Sequence, residues 1–376
     1  MKIKKSSIGV VFGLLIVGML SLADITWAQI PTTVIEKARD ATVLIANTAT
    51  EGGMGSGVLI NDAGLVLTNY HVIHRAEKLV VWFYDNDNSN SYTADVVAID
   101  PIADLALVRM NLPHHKLPTI YLEIESEEWA IAQEVAAIGH PMGIQWTVSL
   151  GHISHTDRTG RVTPYVATLQ HSAEIHRGNS GGPLINNKGD IVGINTYLLM
   201  PDRKWSGIAY AVRGDIVEWS VNQMIERGET FYPALRLNVR QLNEYGVEYL
   251  EKAHPEFIPP INVYGMIVLE LKAGGHAELN GIQPLDVVIA IDGEPTNHML
   301  NVSDIIMGRR YEPGRIVELL IIRDQHIRKI EYPLGRIEMD YMDFYDESSK
   351  NPEALPAPPS KEPEEEKSPP PPHGEE

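Results

Sequence analysis

A mainly β fold is predicted for residues 43–212, followed by a smaller mixed unit and an unstructured end, and three observations predict it. Between about 43 and 212, short β-branched and apolar runs alternate with Gly, Asn and Asp turns. Examples are Val58-Leu59-Ile60, Leu65-Val66-Leu67, Leu79-Val80-Val81-Trp82-Phe83, Val135-Ala136-Ala137-Ile138 and Ile191-Val192-Gly193-Ile194. Such side chains suit a pleated, half-buried surface, and evenly spaced short strands make a barrel or a sandwich. Residues 31–46 read as a short helix leading into the first strand, and 215–227 as a helix that closes this unit. The second observation is a further patterned stretch from about 231 to 334, with Tyr264-Gly265-Met266-Ile267-Val268 and a run from Gly281 to Gly293. The third is a change of composition beyond 341 to Pro, Glu, Lys and Ser, which cannot bury a core and reads as a disordered, solvating tail.

Composition narrows the function classes. The 376 residues suffice for two ordinary domains with appendages. Lys2, Lys4 and Lys5 precede an uncharged apolar stretch from Ile8 to Ala23, and Thr26-Trp27-Ala28 supplies small residues for cleavage after Ala28. This is the pattern of an export signal, and the apolar run is short for a membrane span, which needs about 20 residues. A retained inner-membrane anchor is the alternative reading of the same segment. The chain has no cysteine, so no disulfide, thiol nucleophile or Cys-ligated metal is called for. A net charge of −19 argues against nucleic acid and anionic membranes as partners.

The chemistry concentrates in His176-Arg177-Gly178-Asn179-Ser180-Gly181-Gly182-Pro183-Leu184. Ser180 stands on a tight glycine turn whose backbone N–H groups are free to converge on one point, as an oxyanion hole requires. A serine so placed needs a base. His71 follows the strand-like Leu67-Thr68-Asn69-Tyr70, and Asp104 opens Leu105-Ala106-Leu107-Val108. The order His, Asp, Ser along the chain is that of the chymotrypsin-type double barrel. His71 is then the general base, Asp104 its orienting partner and Ser180 the nucleophile, with the oxyanion hole formed at Gly178, Asn179 and Ser180.

These residues, with Gly55-Ser56-Gly57-Val58 and Gly207-Ile208-Ala209-Tyr210-Ala211-Val212, resemble the HtrA (Deg) family of trypsin-like serine proteases over about residues 32–335. The resemblance implies a chymotrypsin-like double β-barrel over 29–228, a PDZ domain over 229–337 and a tail over 338–376, behind the signal at 1–28. It also implies that Ile175 and Ile208 line the primary specificity pocket, and that Gly207, Ala209 and Tyr210 belong to a segment that pairs with the substrate backbone. In the PDZ domain, Ala234, Leu235, Arg236 and Leu237 fall in the loop that would take a peptide C-terminus by strand addition. Implied with these are unfolded or damaged envelope proteins as substrates, a homotrimer or multiple of trimers, a periplasmic or other extracytoplasmic location, and no cofactor.

Several positions depart from the family pattern. Its Thr-Asp-Ala-Ala-Ile-Asn becomes His171-Ser172-Ala173-Glu174-Ile175-His176, and its Gly-Asn-Pro becomes Gly139-His140-Pro141. Arg236 stands where a carboxylate-loop glycine is expected, and Leu285 where another glycine is usual. Two rival readings stand beside the general protease: a non-catalytic, chaperone-like peptide binder, and a processing protease for one membrane partner. The histidines near the active-site loops (His152, His155, His171, His176) have no defined ligand spacing, so a loop role outranks a metal site. Titration of these histidines near neutral pH would make activity pH-sensitive. Asp85-Asn86-Asp87-Asn88-Ser89 begins like a calcium loop but has Asn90 where glycine is required and Val96 where the closing Glu belongs.

Overall fold

The computed structural model describes residues 30–337, except 49–52, 85–90, 114–120, 127–128, 160–165, 199–204 and parts of 244–263 and 297–308. The export segment, the acidic tail and the calcium-like loop lie outside the described residues.

Helix α1 (Thr32–Ala41) ends earlier than the sequence suggests, and the chain turns directly into strand β1 (Thr42–Asn47). The β-branched run Thr42-Val43, followed by Leu44-Ile45, explains the early stop, since branched side chains lose rotamer freedom in a helix. Then come β2 (Gly53–Leu59), β3 (Leu65–Thr68), β4 (Leu79–Phe83), β5 (Ser91–Asp100) and β6 (Leu105–Met110). They close into an antiparallel barrel in the order β1-β2-β3-β6-β5-β4. Val43, Ile45, Val66, Val81 and Val108 fill its interior, each wholly buried.

A second six-stranded barrel repeats this plan. Its strands are β7 (Glu134–Gly139), β8 (Thr147–Thr159), β9 (Ala167–His171), β10 (Pro183–Ile185), β11 (Ile191–Leu198) and β12 (Ala209–Arg213), closed in the order β10-β11-β12-β9-β8-β7. Closure removes open sheet edges, which is how a chain with so many short strands avoids edge-to-edge association. The 14-residue helix Gly214–Arg227 follows, ended by Gly228 in the left-handed conformation that terminates helices.

The last part is a separate sheet. Strand β14 (Asn238–Gln241) leads an antiparallel sheet continued by β15 (Met266–Glu270), β16 (Val287–Ile291), β18 (Ile316–Arg323) and β19 (His326–Pro333), with the short β17 (Glu294–Pro295) paired to β16. A two-stranded clasp of β13 (Pro233–Ala234) and β20 (Gly335–Arg336) ties its entry to its exit. Its core contains Val268, Ile291, Leu319 and Tyr332. Leu285 takes φ +67, the conformation a glycine would adopt freely.

Candidate active site

The site forms where turns from both barrels meet. After β3, Asn69 and the short helix α2 (Tyr70–Ile73) carry His71. That turn is stapled to the one before β6: Asn69 Nδ2 donates to the Asp104 carbonyl at 2.8 Å, and the Tyr70 N–H to the same oxygen at 3.2 Å. Asp104 sits at φ +56, and its side chain is wholly buried. One carboxylate oxygen accepts the His71 backbone N–H at 3.0 Å. The His71 Nδ1 lies 2.8 Å from Oδ2 and 3.1 Å from Oδ1. A carboxylate only accepts, so Nδ1 carries the proton and Nε2 keeps a lone pair. Burial alone would lower the pKa of His71, but the charge of Asp104 and this hydrogen bond outweigh it, leaving the value above the ordinary 6.5.

Thr196, on β11, joins the acid to the serine. Its Oγ1 donates to Asp104 Oδ2 at 2.5 Å, while its carbonyl accepts from Ser180 Oγ at 3.1 Å. The sequence reading missed this residue, because nothing in β11 marks one threonine as facing a carboxylate from another barrel.

The loop around Ser180 is fixed from several sides. The Asn179 N–H donates to the His176 carbonyl, and the Gly182 N–H to the Asn179 carbonyl, both at 3.0 Å. The Ser56 N–H reaches across from β2 to the Ser180 carbonyl at 2.8 Å. Gly178 has φ +104, and a Cβ there would stand 2.2 Å from the His140 carbonyl oxygen, so no other residue fits. The preceding carbonyl, of Arg177, accepts the Met142 N–H at 2.7 Å. In a trans peptide C=O and N–H point in opposite directions, so this bond turns the Gly178 N–H away from Met142. Among the described residues, the N–H groups of Gly178 and Ser180 have no protein acceptor. Buried backbone donors are nearly always paired, so two unpaired ones beside the Ser180 hydroxyl are an exception.

Behind this loop lies a second polar contact. Ser56 Oγ donates to the Gly178 carbonyl at 2.7 Å, and therefore accepts from His140 Nδ1 at 2.9 Å and from the His140 N–H at 3.1 Å. That assigns the Nδ1–H tautomer and leaves His140 Nε2 buried without a partner. Burial pushes the His140 pKa down to about 3, so the ring is neutral at working pH. His140 thus supports the loop as a neutral donor.

Residues 55–194 match the model of the trypsin-like peptidase domain. A protein of Chlamydia trachomatis named as a DegP-like periplasmic serine endoprotease is 31% identical over 290 residues, covering 74% of this chain and 53% of its own. A protein of Synechocystis sp. named as serine protease HhoA is 32% identical over 263 residues, covering 68% and 64%. Among solved structures, the HtrA-type protease AlgW with a tripeptide superposes with a TM-score of 0.70 at 26% identity, covering 82% of this chain and 97% of that one. The chain belongs to the HtrA family. It spans about half the length of the Chlamydia relative, at 53%.

Within the HtrA frame, the structure revises some expected site residues. Ala209 and Tyr210 lie in β12 and are paired on both sides, Ala209 with His171 and Leu198, Tyr210 with Gln170 and Tyr197. Their backbone groups belong to a closed barrel and offer no edge to a substrate strand. Ile175 is only 2% exposed and belongs to one buried cluster with Val135, Leu169 and Val192. Gly207 and Ile208 precede β12 and are half-buried. Glu174, beside the nucleophile loop, pairs with His176 at 2.9 Å. His171 is wholly buried, and burial moves its pKa down to about 4 against a smaller opposing effect of Asn195. It therefore titrates well below neutrality, contrary to the expectation of a near-neutral sensor at that position.

In the last sheet, Ala234 pairs with Gly335, Leu235 is buried in the core, and its carbonyl accepts from Tyr332 Oη. Arg236 adopts φ +54, as the glycine it replaces would, and its methylenes lie over Gly335. Leu237 packs partly buried against the same core. Among the described residues, no group of three His, Asp or Glu is placed to hold a metal ion. Nor is any described helix long and apolar enough to cross a membrane.

Proposed function

We propose that the chain is a serine endopeptidase acting through Ser180, His71 and Asp104. The observation that supports this reading is the pair of backbone N–H groups, of Gly178 and Ser180, that have no protein acceptor among the described residues, next to the Ser180 hydroxyl. Ser180 Oγ turns from the Thr196 carbonyl to His71 Nε2, gives up its proton and attacks the scissile carbonyl. The oxygen of the tetrahedral intermediate takes hydrogen bonds from Gly178 and Ser180. His71 then protonates the leaving amine, and water repeats the sequence on the acyl-enzyme. Asp104 keeps Nδ1 protonated and stabilises the imidazolium.

The substrates in this reading are unfolded or damaged polypeptides outside the cytoplasm, which expose extended segments. The names of the DegP-like relatives support the location, and AlgW with its bound tripeptide supports peptides as ligands. The unit from 229 to 337 is read as a PDZ domain that selects or activates, the 1–28 segment as an export signal, and the assembly as trimeric. Digestion of casein by the intact chain and by Ser180→Ala is the test. Wild type is expected to cut and Ser180→Ala to retain on the order of 10⁻⁴–10⁻⁶ of its kcat. Equal activity in the two would end the proposal.

A further inference from the structure

Asp100 is a buried carboxylate that the reaction does not use. It stands four positions before Asp104, at the end of β5, and one of its oxygens accepts the N–H groups of Ile102 and Ala103, each at 3.1 Å. These bonds close the turn in which Asp104 takes φ +56, a left-handed conformation that an aspartate holds only where the surroundings enforce it. The second oxygen of Asp100 faces elsewhere. It accepts from Ser220 Oγ, on the helix Gly214–Arg227, and from Tyr232 Oη, each at 2.5 Å. Burial pushes the Asp100 pKa up, and these hydroxyls and amides pull it back.

Tyr232 is the junction of the last sheet with the barrels. Its carbonyl accepts the Ile337 N–H at 2.9 Å, and the next residues, Pro233 and Ala234, pair with Arg336 and Gly335. Entry and exit of the sheet unit therefore converge on one residue, whose phenol is wholly buried against the turn that carries Asp104. Trp219 packs edge-on against its ring at 4.7 Å between centroids.

We propose that Asp100 and Tyr232 are positioning residues for Asp104, linking the seating of the 233–336 unit to the alignment of the His71 carboxylate partner. This rests on the reading of Asp104 as a member of the catalytic triad. One carboxylate holds the turn with one oxygen and the junction with the other, so a displaced Tyr232 takes a strong donor from Asp100 and loosens its hold on the turn. Asp104 then moves from His71 while Ser180 and the cleft stay in place.

The test uses the full chain and a short peptide substrate, with kcat, KM and the acid limb of kcat/KM measured together. Tyr232→Phe removes only the hydroxyl. Ile337→Pro removes the N–H bonded to the Tyr232 carbonyl and loosens the junction that seats the phenol on Asp100, without replacing either partner of the Asp100–Tyr232 bond. Both variants are expected to lower kcat about 5- to 50-fold with KM within twofold, and to move the acid limb to lower pH, because Asp104 is what raises His71. A merely structural role would lower the melting temperature and leave that limb where it is. Wild-type acid limb and kcat in Ile337→Pro, or in a folded Tyr232→Phe, would overturn the link. Ser180→Ala is run beside them: if it cleaves like wild type, the triad reading itself has failed, whereas if it is inactive while the junction variants match wild type, the link alone has failed.

Discussion

At the scale of single residues, the site depends on how Asp104 spends its acceptors. One oxygen takes the His71 backbone N–H, and the other shares the imidazole with Thr196. Thr196→Val keeps the shape of the side chain and removes the 2.5 Å donor from a carboxylate that has no access to water. Hydrogen bonds to charged groups contribute roughly 1.5–3 kcal/mol. The expected loss in kcat is therefore on the order of 10- to 100-fold, with Thr196→Ser recovering most of it. Steady-state kinetics on one peptide measures both, and a serine variant as poor as valine would show that the hydroxyl is not what matters. The pH profile carries a separate prediction. His71 is held above the ordinary 6.5, and catalysis needs it neutral, so the acid limb of kcat/KM should have its midpoint above 6.5. Asp104→Asn should bring that midpoint down while lowering kcat about 10⁴-fold. An unmoved midpoint in that variant would separate Asp104 from the titration of His71.

At the scale of elements, the nucleophile loop is held by Ser56 of β2 and by His140 and Met142 after β7, and its weakest tolerance is at Gly178. Gly178→Ala puts a methyl group into the His140 carbonyl and asks alanine to hold φ +104. The peptide before it must rotate, and one oxyanion donor is lost with it. Loss of one such donor costs about 10²–10³ in kcat; KM for a short peptide should change far less, and near-wild-type kcat would mean the Gly178 N–H is not used. How much of this was legible in the sequence follows from what local pattern can encode. The strands were readable because Val, Ile and Leu runs between turn residues state their period directly. His71, Asp104 and Ser180 were readable because their neighbours are unusual and their order is diagnostic. Thr196, the Ser56–His140 contact and the Asp100–Tyr232 bond were not, since each joins elements far apart in the chain and its partners are set by barrel closure. The same cause explains Ala209. Ala209 lies in a segment that reads as free to pair with a substrate backbone, and only the closed ladder shows that it is already paired on both sides.

For the whole molecule, two buried histidines couple folding to pH. Burial lowers His140 to about 3 and His171 to about 4, whereas in the unfolded chain both return to about 6.5. Between these values the unfolded state binds protons that the folded state refuses, so stability falls as pH drops below 6.5. At 1.36 kcal/mol per unit, each shift corresponds to a loss on the order of 3–5 kcal/mol once the pH reaches the folded value. The slope approaches two protons, or roughly 2.7 kcal/mol per pH unit, near the middle of the window. Two groups act in the opposite sense. His71 is raised, so its contribution is complete below 6.5 and disappears as pH rises through its folded value. Asp100 is raised above 3.8 and likewise favours the folded state at lower pH, which offsets part of the histidine effect in the acid range. The net expectation is a urea midpoint that declines between pH 6.5 and 4.5. His140→Asn with His171→Asn should flatten that decline whatever it does to absolute stability, because Asn has no proton to take up. Equal slopes for wild type and the double variant would place the acid sensitivity elsewhere, in the carboxylates of a chain whose net charge is −19.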